Sequence, residues 1–202
     1  TERFESEHVQ PTATVARELT DDVVEWLDGE GVPAVDNLDT RDLVLDIRER
    51  GAMKCGIAAG PDATPAAAEA ELAECPHMSD HRDIGAAVSV DDPVVYGEDN
   101  DGATVALVDC GAKGSIVESL LDRDAVVHLL PYDSTVEDVD AVDPDVLFIS
   151  NGPGDPANFE AAEQLVEAYT GERPIAGICL GQQVVARALG GTTEKMDFGH
   201  RG

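Results

Sequence analysis

A cysteine flanked by two nearby glycines, Cys179 with Gly177 and Gly181, has the spacing of a catalytic nucleophile. The residues before it, 175–178, are mostly apolar and typical of a short buried strand, and those after it have helical spacing. A thiol at such a junction lies at a helix N-terminus, where free N–H groups and the helix dipole favour the thiolate. We therefore expect Cys179 to act as a nucleophile and the N–H of Leu180 to point at the oxyanion that its attack creates.

The alternative for Cys179 is a structural cysteine buried after a core strand, which is the commoner fate of an isolated cysteine. Gly177 and Gly181 favour the nucleophile, because they leave room for a strained turn and for the close approach of a substrate. The pattern thus predicts a strand, a sharp turn at Cys179 and a helix.

A second segment, residues 150–156, follows another apolar strand directly and reads Ser-Asn-Gly-Pro-Gly-Asp-Pro. Gly152 and Gly154 allow backbone to lie close to a ligand, and the two prolines stiffen the loop. An ordinary Gly/Pro turn is the alternative. As a binding loop, it would supply the N–H of Gly154 as a second oxyanion donor beside Leu180.

Alternating strands and helices follow residue 103 and would position both segments. The predicted strands are 105–108, 125–130, 146–149 and 175–178, and the predicted helices are 111–122 and 158–169. Continuous apolar strands that alternate with helices are typical of a parallel sheet covered on both faces, so the predicted fold class is α/β. Sites in such sheets lie at the carboxyl ends of the strands, where residues 150–156 and Cys179 both fall.

The motif Gly-Ile-Cys-Leu-Gly-Gln-Gln at 177–183 resembles the G-x-C-x-G-x-Q nucleophile motif of class I (triad-type) glutamine amidotransferases. The loop at 150–156 is similar to their N-G-P-G-D-P loop, and residues 109–113 to their D-x-G-x-K segment. The resemblance implies that Cys179 is catalytic and that glutamine is bound by Gly152, Gly154, Leu180 and Gln183. Gln182 departs from the family, which has His there. Cys110, within the D-x-G-x-K segment, is interpreted as a packing residue.

Residues 39–54 separate the candidates within this family. Asp-Thr-Arg at 39–41 with Ile-Arg-Glu-Arg-Gly-Ala-Met-Lys at 47–54 resembles a segment of the carbamoyl-phosphate synthetase small-subunit family, and Phe-Gly-His-Arg-Gly at 198–202 resembles a later one. The implied architecture is a truncated class I glutaminase domain at 103–202, preceded at 1–98 by part of a smaller α/β N-terminal domain. Arg41, Arg48 and Lys54 are interpreted as a solvated helix face.

The resemblance also implies a partner and a division of labour. A large synthetase subunit would receive ammonia and use ATP, Mg²⁺ and bicarbonate to make carbamoyl phosphate, and no P-loop motif places ATP on this chain. No cofactor or metal is expected in the chain itself. The family's catalytic histidine and acidic partner are expected beyond residue 202, so neither His128 nor His200 is assigned. The alternatives are a subunit of another amidotransferase, such as anthranilate synthase, and a non-catalytic regulatory module.

Composition restricts the environment and the partners. The 202 residues carry 42 Asp plus Glu against 13 Lys plus Arg, a net charge of −29, and the acids are dispersed along the chain. Dispersed acidity suits a cytoplasm of very high salt, and it argues against nucleic acid, which binds basic patches. No apolar run approaches 18 residues, so no membrane span is expected. Thr1 in place of Met suggests a fragment, and four widely spaced cysteines suggest reduced thiols.

Local patterns predict further elements before residue 98. A helix is expected over 15–27, and a second one over 40–50, with Asp39 or Thr40 as N-cap, Gly51 as terminator and Leu43, Val44 and Ile47 buried. A further helix is expected at 65–75, and strands at 53–59, 88–90 and 94–96. The trio Cys75, His77 and His81 is interpreted as surface loop residues, not as metal ligands, because Pro76 interrupts it.

Overall fold

The computed structural model describes residues 14–51, 53–58, 60–61, 63–75, 82–194 and 196. Two compact units divide these residues: one comprises 82–194, and the other comprises the ranges between 14 and 75 together with residue 196. The candidate site lies in the first unit.

The unit between residues 14 and 75 consists of short elements. Strand β1 (Thr14–Val15) pairs in parallel with β2 (Ala34–Val35). The helices are α1 (Asp21–Gly29), α2 (Thr40–Arg50) and α3 (Pro65–Glu74). Helix α1 therefore begins six residues later than the predicted start at residue 15, because Val15 is in β1.

The ends of α2 follow the sequence signals. The Asp39 carboxylate accepts the N–H groups of Arg41 and Asp42 at 3.1 and 3.3 Å, so Asp39 is the N-cap. Gly51, with φ +78°, ends the helix, as predicted. The predicted burial of α2 is wrong: Leu43, Val44 and Ile47 are exposed by 39, 61 and 42%. An apolar stripe shows which face of a helix can be buried, but that face is buried only where another part of the protein packs against it.

Two other predictions are also wrong in their local structure. Residues 53–58 form no strand, and residue 59 lies outside the described residues. The predicted strand at 88–90 is replaced at its start by helix α4 (Ile84–Val88). Strand β3 (Val94–Tyr96) is present as predicted.

The unit at 82–194 is a sheet with helices on both faces. After α4 and β3 come β4 (Thr104–Asp109), α5 (Gly114–Leu121), β5 (Val126–Pro131), α6 (Val136–Val142), β6 (Val146–Ile149), a 3-10 turn (Pro156–Asn158), α7 (Glu160–Tyr169), β7 (Ile175–Gly177) and α8 (Leu180–Ala188). The strand order is β3-β5-β4-β6-β7; β3 is antiparallel to β5, and the other pairs are parallel. The predicted α/β class is confirmed.

The sheet has a core on each face. Successive residues of β4 contribute to opposite sides, Ala106 and Val108 to one cluster and Val105 and Leu107 to the other. Helices α6, α7 and α8 cover the first side, and α5 covers the second with Val117. All four of these β4 residues are buried, which explains why the strand reads as a continuous apolar run.

Helix α6 was not predicted, although its start carries a signal. The Thr135 hydroxyl accepts the N–H of Asp138, and the Asp138 carboxylate accepts the N–H of Thr135, which makes a reciprocal capping box. The N–H of Thr135, and then its hydroxyl, donate to the Asp138 carboxylate and lower the pKa of Asp138. The predicted domain boundary between residues 98 and 103 stays a prediction; β3, which precedes it, pairs with β5, which follows it.

Candidate active site

The two segments singled out in the sequence meet at the carboxyl edge of the sheet. Strands β6 and β7 are parallel neighbours with Ile149 opposite Gly177, so the residues that follow them leave the sheet side by side. The N–H of Ile178 donates to the carbonyl oxygen of Ile149 at 3.2 Å. The predicted placement of both segments at this edge is therefore confirmed.

Cys179 forms a sharp elbow between β7 and α8. Its φ of +54° and ψ of −106° lie outside the regions that side chains with a Cβ ordinarily adopt, at a cost of about 1–3 kcal/mol. The residue is exposed and occupies the N-cap position of α8. The structure thus holds a thiol in a strained turn at the accessible end of a helix.

The glycines on either side of Cys179 are required by close packing. A Cβ on Gly181 would lie 2.2 Å from the carbonyl oxygen of Ile149, and one on Gly177 would lie 2.6 Å from the carbonyl carbon of Gly181. These are backbone contacts that no side-chain rotation relieves. The start of α8 can therefore pack against β6 and β7 only with glycine at both positions.

Residues 150–155, which we call the rim loop, are packed just as closely. A Cβ on Gly152 would lie 2.0 Å from the carbonyl oxygen of Cys110 and 2.7 Å from Cδ2 of Leu180. Gly154 has φ +91°, and a Cβ there would lie 2.8 Å from Cγ2 of Ile84. The rim loop is thus wedged between the end of β4 and the start of α8.

Several backbone N–H groups of this edge have no acceptor within the described residues, and two of them bear on the predicted oxyanion site. Within the described residues, the N–H groups of Gly154 and Leu180 donate to no acceptor. Leu180 is the first residue of α8, where helical N–H groups have no partner in the helix. Its side chain is buried in the core, which fixes the peptide that carries this N–H.

Two polar side chains, those of Ser150 and Asn151, join the rim loop to the end of β4, and a third, that of Asp109, holds the turn after β4. The Ser150 hydroxyl accepts the N–H of Cys110 at 2.8 Å and donates to the carbonyl oxygen of Asn151 at 2.7 Å. The Asn151 amide bonds to Gly111 and Lys113, and the buried Asp109 carboxylate accepts three N–H groups, from Val90, Gly111 and Ala112. No role was predicted for these three residues, because only their bonds to partners distant in the chain reveal one.

Helix α8 is anchored along its length. Leu180, Gly181 and Val184 are buried on the side toward the sheet. Near the other end, Arg187 forms a partly buried ion pair with Glu163 of α7. The elbow is therefore presented by a fixed element.

Cys110 lies at the end of β4 and is fully buried, which confirms its interpretation as a packing residue. Burial, and then the charge of Asp109, raise the pKa of its thiol well above the ordinary range, while the hydrogen bond with Ser150 opposes this. Cys110 is therefore held as an unreactive neutral thiol.

Of the remaining predicted positions, some are described by the structure and others lie outside the described residues. Gln183 is exposed on α8, and its N–H donates to the carbonyl oxygen of Cys179 at 3.3 Å. Residues 76–81 and 197–202, and with them His77, His81 and His200, lie outside the described residues. In the described ranges, no group of three or more His, Cys, Asp or Glu side chains is arranged to hold a metal ion. None of their helices is long and apolar enough to cross a bilayer.

The fold and the site agree with one family of proteins. A mostly parallel sheet carries a cysteine elbow beside a glycine-rich rim loop, and residues 106–202 match the family model described as glutamine amidotransferase class-I. This part of the chain is therefore similar to class I glutamine amidotransferases, as the resemblance indicated.

The relatives narrow this class to one kind of subunit. The chain is 69% identical over 201 residues to the carbamoyl phosphate synthase small chain of Halobacterium salinarum (strain R1), covering all of this chain and 56% of the relative. It is 39% identical over 210 residues to that of Archaeoglobus fulgidus and 34% identical over 206 residues to that of Methanococcus maripaludis (strain C5), covering 58 and 56% of them. The resemblance to carbamoyl-phosphate synthetase small subunits is thus confirmed, and the chain spans a little over half the length of these relatives.

Proposed function

We propose that Cys179 is the nucleophile of a glutaminase. The thiolate attacks the side-chain carboxamide carbon of glutamine, and a C–S bond forms as the carbonyl oxygen becomes an oxyanion. The C–N bond then breaks, the nitrogen takes a proton and leaves as ammonia, and a glutamyl thioester remains on Cys179. Water adds to the thioester, the C–S bond breaks, and glutamate leaves.

The observation that carries this proposal is the elbow itself. Cys179 has φ +54° and is exposed, and it stands beside a rim loop whose glycines leave no room for side chains. Strain of this kind persists where function requires a particular presentation of a group. The N–H groups of Leu180 and Gly154 are assigned to the oxyanion, and Gly152 and Gln183 to binding of the glutamine substrate.

For the whole protein, we propose the role of the small chain of carbamoyl phosphate synthase. Ammonia passes to a large subunit that binds ATP and Mg²⁺ and makes carbamoyl phosphate from bicarbonate, for arginine and pyrimidine biosynthesis in the cytoplasm. The names of the relatives support this role, because the similarity extends over the whole chain. The proton donor and base would be the histidine that the family resemblance implies beyond residue 202.

The test uses the full-length protein assembled with its large subunit. Cys179→Ser should abolish glutamine-dependent carbamoyl phosphate synthesis and leave ammonia-dependent synthesis intact. Cys55→Ser, at another exposed cysteine, is the matched control and should change neither rate. Undiminished glutamine-dependent synthesis in Cys179→Ser would refute the assignment.

Labelling with a glutamine-analogue electrophile separates the remaining alternatives. The analogue should modify Cys179 in the wild-type protein, and glutamine should protect it. An unlabelled Cys179 in the assembled protein would favour a non-catalytic module. A labelled protein that copurifies with a different synthase would favour another amidotransferase.

A further inference from the structure

We propose that Asn151 is a positioning residue that holds the rim loop in register with the Cys179 elbow. The inference rests on the proposed glutaminase function, and it adds a residue that neither touches the thiol nor belongs to the assigned glutamine contacts. Its role would be to fix where the Gly154 N–H lies relative to the nucleophile.

The Asn151 side chain makes a two-point bond to the backbone after β4. Its amide nitrogen donates to the carbonyl oxygen of Gly111 at 3.1 Å, and its amide oxygen accepts the N–H of Lys113 at 3.0 Å. A carboxamide has both a donor and an acceptor, and this pair of partners uses one of each. The bond therefore fixes the orientation of Asn151 as well as its distance from β4.

The turn that receives this bond is itself held rigidly. The Asp109 carboxylate accepts the N–H groups of Gly111 and Ala112 at 2.9 and 2.7 Å, and its other oxygen accepts the N–H of Val90 at 2.9 Å. Asp109 is 3% exposed. The turn to which Asn151 is bonded is thus held in place independently of the rim loop.

On the other side of Asn151, the rim loop is connected to the nucleophile. The N–H of Gly181 donates to the carbonyl oxygen of Ser150 at 3.1 Å, so the residue before Asn151 is bonded to α8. Gly152, the residue after it, touches the carbonyl oxygen of Cys110 so closely that a Cβ would lie 2.0 Å away. The Ser150 hydroxyl, which accepts the N–H of Cys110 at 2.8 Å, already ties the start of the rim loop to β4. Asn151 adds the bonds to Gly111 and Lys113, and with Ser150 it keeps β4, the rim loop and α8 in one register.

Loss of the Asn151 bonds should affect the transition state more than the bound substrate. An oxyanion donor acts on charge that develops during attack, so a displaced Gly154 N–H should lower kcat more than it raises KM for glutamine. A displacement of about 1 Å can cost on the order of 100-fold in rate.

The experiment compares two substitutions of Asn151 with a matched control in the assembled full-length protein. Asn151→Asp is isosteric, keeps the acceptor for Lys113, and sets a carboxylate against the Gly111 carbonyl. Asn151→Ala removes both bonds. Asn100→Ala is the control, because the Asn100 amide also donates to a backbone carbonyl, that of Ala125 at 2.9 Å, at the opposite edge of the sheet.

We expect both Asn151 variants to lose about 10- to 100-fold in glutamine-dependent kcat with a smaller change in KM. Ammonia-dependent synthesis and the rate at which iodoacetamide alkylates Cys179 should remain within about twofold of wild type, since these do not use the Gly154 N–H. The ratio of Asn151→Asp to wild-type kcat should rise as the pH falls toward about 4, the ordinary pKa of an aspartate carboxyl, because a protonated carboxyl can again donate to Gly111. Asn100→Ala should lose stability without this loss of kcat.

Wild-type kcat in Asn151→Asp would overturn the inference, and so would an equal loss in Asn100→Ala. Neither result would touch the proposed function, which fails only if Cys179→Ser retains glutamine-dependent synthesis. If Asn151→Ala does not fold, Asn151→Asp and its pH profile still decide the outcome.

Discussion

The backbone N–H of Gly181 donates to the carbonyl oxygen of Ser150 across 3.1 Å. This bond joins the first turn of α8 to the start of the rim loop. It therefore fixes the position of the nucleophile relative to the loop beside it. It is possible only because Gly181 has no Cβ, which would otherwise lie 2.8 Å from the same carbonyl oxygen.

Substitution of Gly181 should therefore damage stability and activity together. In Gly181→Ala the new methyl would also lie 2.2 Å from the Ile149 carbonyl oxygen, so α8 must move away from β6. We expect a loss of about 3 kcal/mol in the free energy of unfolding and about 100-fold in glutamine-dependent kcat. Denaturant unfolding and steady-state kinetics measure the two effects.

Gly190→Ala is the matched control for this prediction. Gly190 follows α8, has φ +88°, and has open space around its Cβ position. Its substitution should cost about 1 kcal/mol through backbone strain alone and leave kcat unchanged. Equal kinetic losses in the two variants would contradict the steric argument.

Because Cys179 is strained, its replacement by glycine should increase stability, unlike the substitutions above. Cys179→Gly should abolish glutamine hydrolysis and yet raise the free energy of unfolding by about 1 kcal/mol relative to Cys179→Ala. Glycine adopts φ +54° and ψ −106° without the Cβ clash, and this relief exceeds its larger chain entropy when unfolded. Denaturant melts of the two variants test the difference, and a less stable glycine variant would show that the elbow is unstrained.

How much the sequence could predict depends on how local each feature is. The elbow was predictable, because its apolar strand, glycines and helical spacing all lie within residues 175–185. The parallel sheet was predictable from the alternation of elements. Helix α6 could have been found from the capping box of Thr135 and Asp138, a local signal that the apolar pattern obscured.

Other features depend on partners distant in the chain. The apolar face of α2 was predicted to be buried, but periodicity reports the composition of a face and not what covers it. The bonds from Asn151 to Gly111 and Lys113 span 40 and 38 residues, so no local pattern encodes them. The antiparallel pairing of β3 with β5 is non-local in the same way.

Tyr169 predicts a dependence of stability on alkaline pH. Its hydroxyl donates to the Asp140 carboxylate at 2.5 Å, and burial, followed by this bond and the charge of Asp140, raises its pKa to about 12. Because the folded protein favours the neutral phenol, the contribution is complete below about pH 10 and is lost as the pH rises toward 12. Ultraviolet titration should show one tyrosine ionising late, and this phase should vanish in Tyr169→Phe.

Asp140→Asn checks the cause of this shift. It removes the charge while leaving an amide oxygen to accept the bond, so the late phase should move to lower pH. A late phase that persists in Tyr169→Phe would assign the ionisation to another group.

The net charge of −29 predicts a strong dependence of stability on salt. Repulsion among dispersed carboxylates is screened by ions, so the free energy of unfolding of the full-length protein should rise from about 0.1 M to molar KCl.

Glu98, Asp99 and Asp101 place three carboxylates within four residues at the turn before β4. The triple variant Glu98→Gln, Asp99→Asn, Asp101→Asn should be more stable than wild type at low salt, and the two should converge in molar KCl. Urea unfolding at each KCl concentration measures this, and a wild-type stability that stays constant or falls with salt would contradict adaptation to a high-salt cytoplasm.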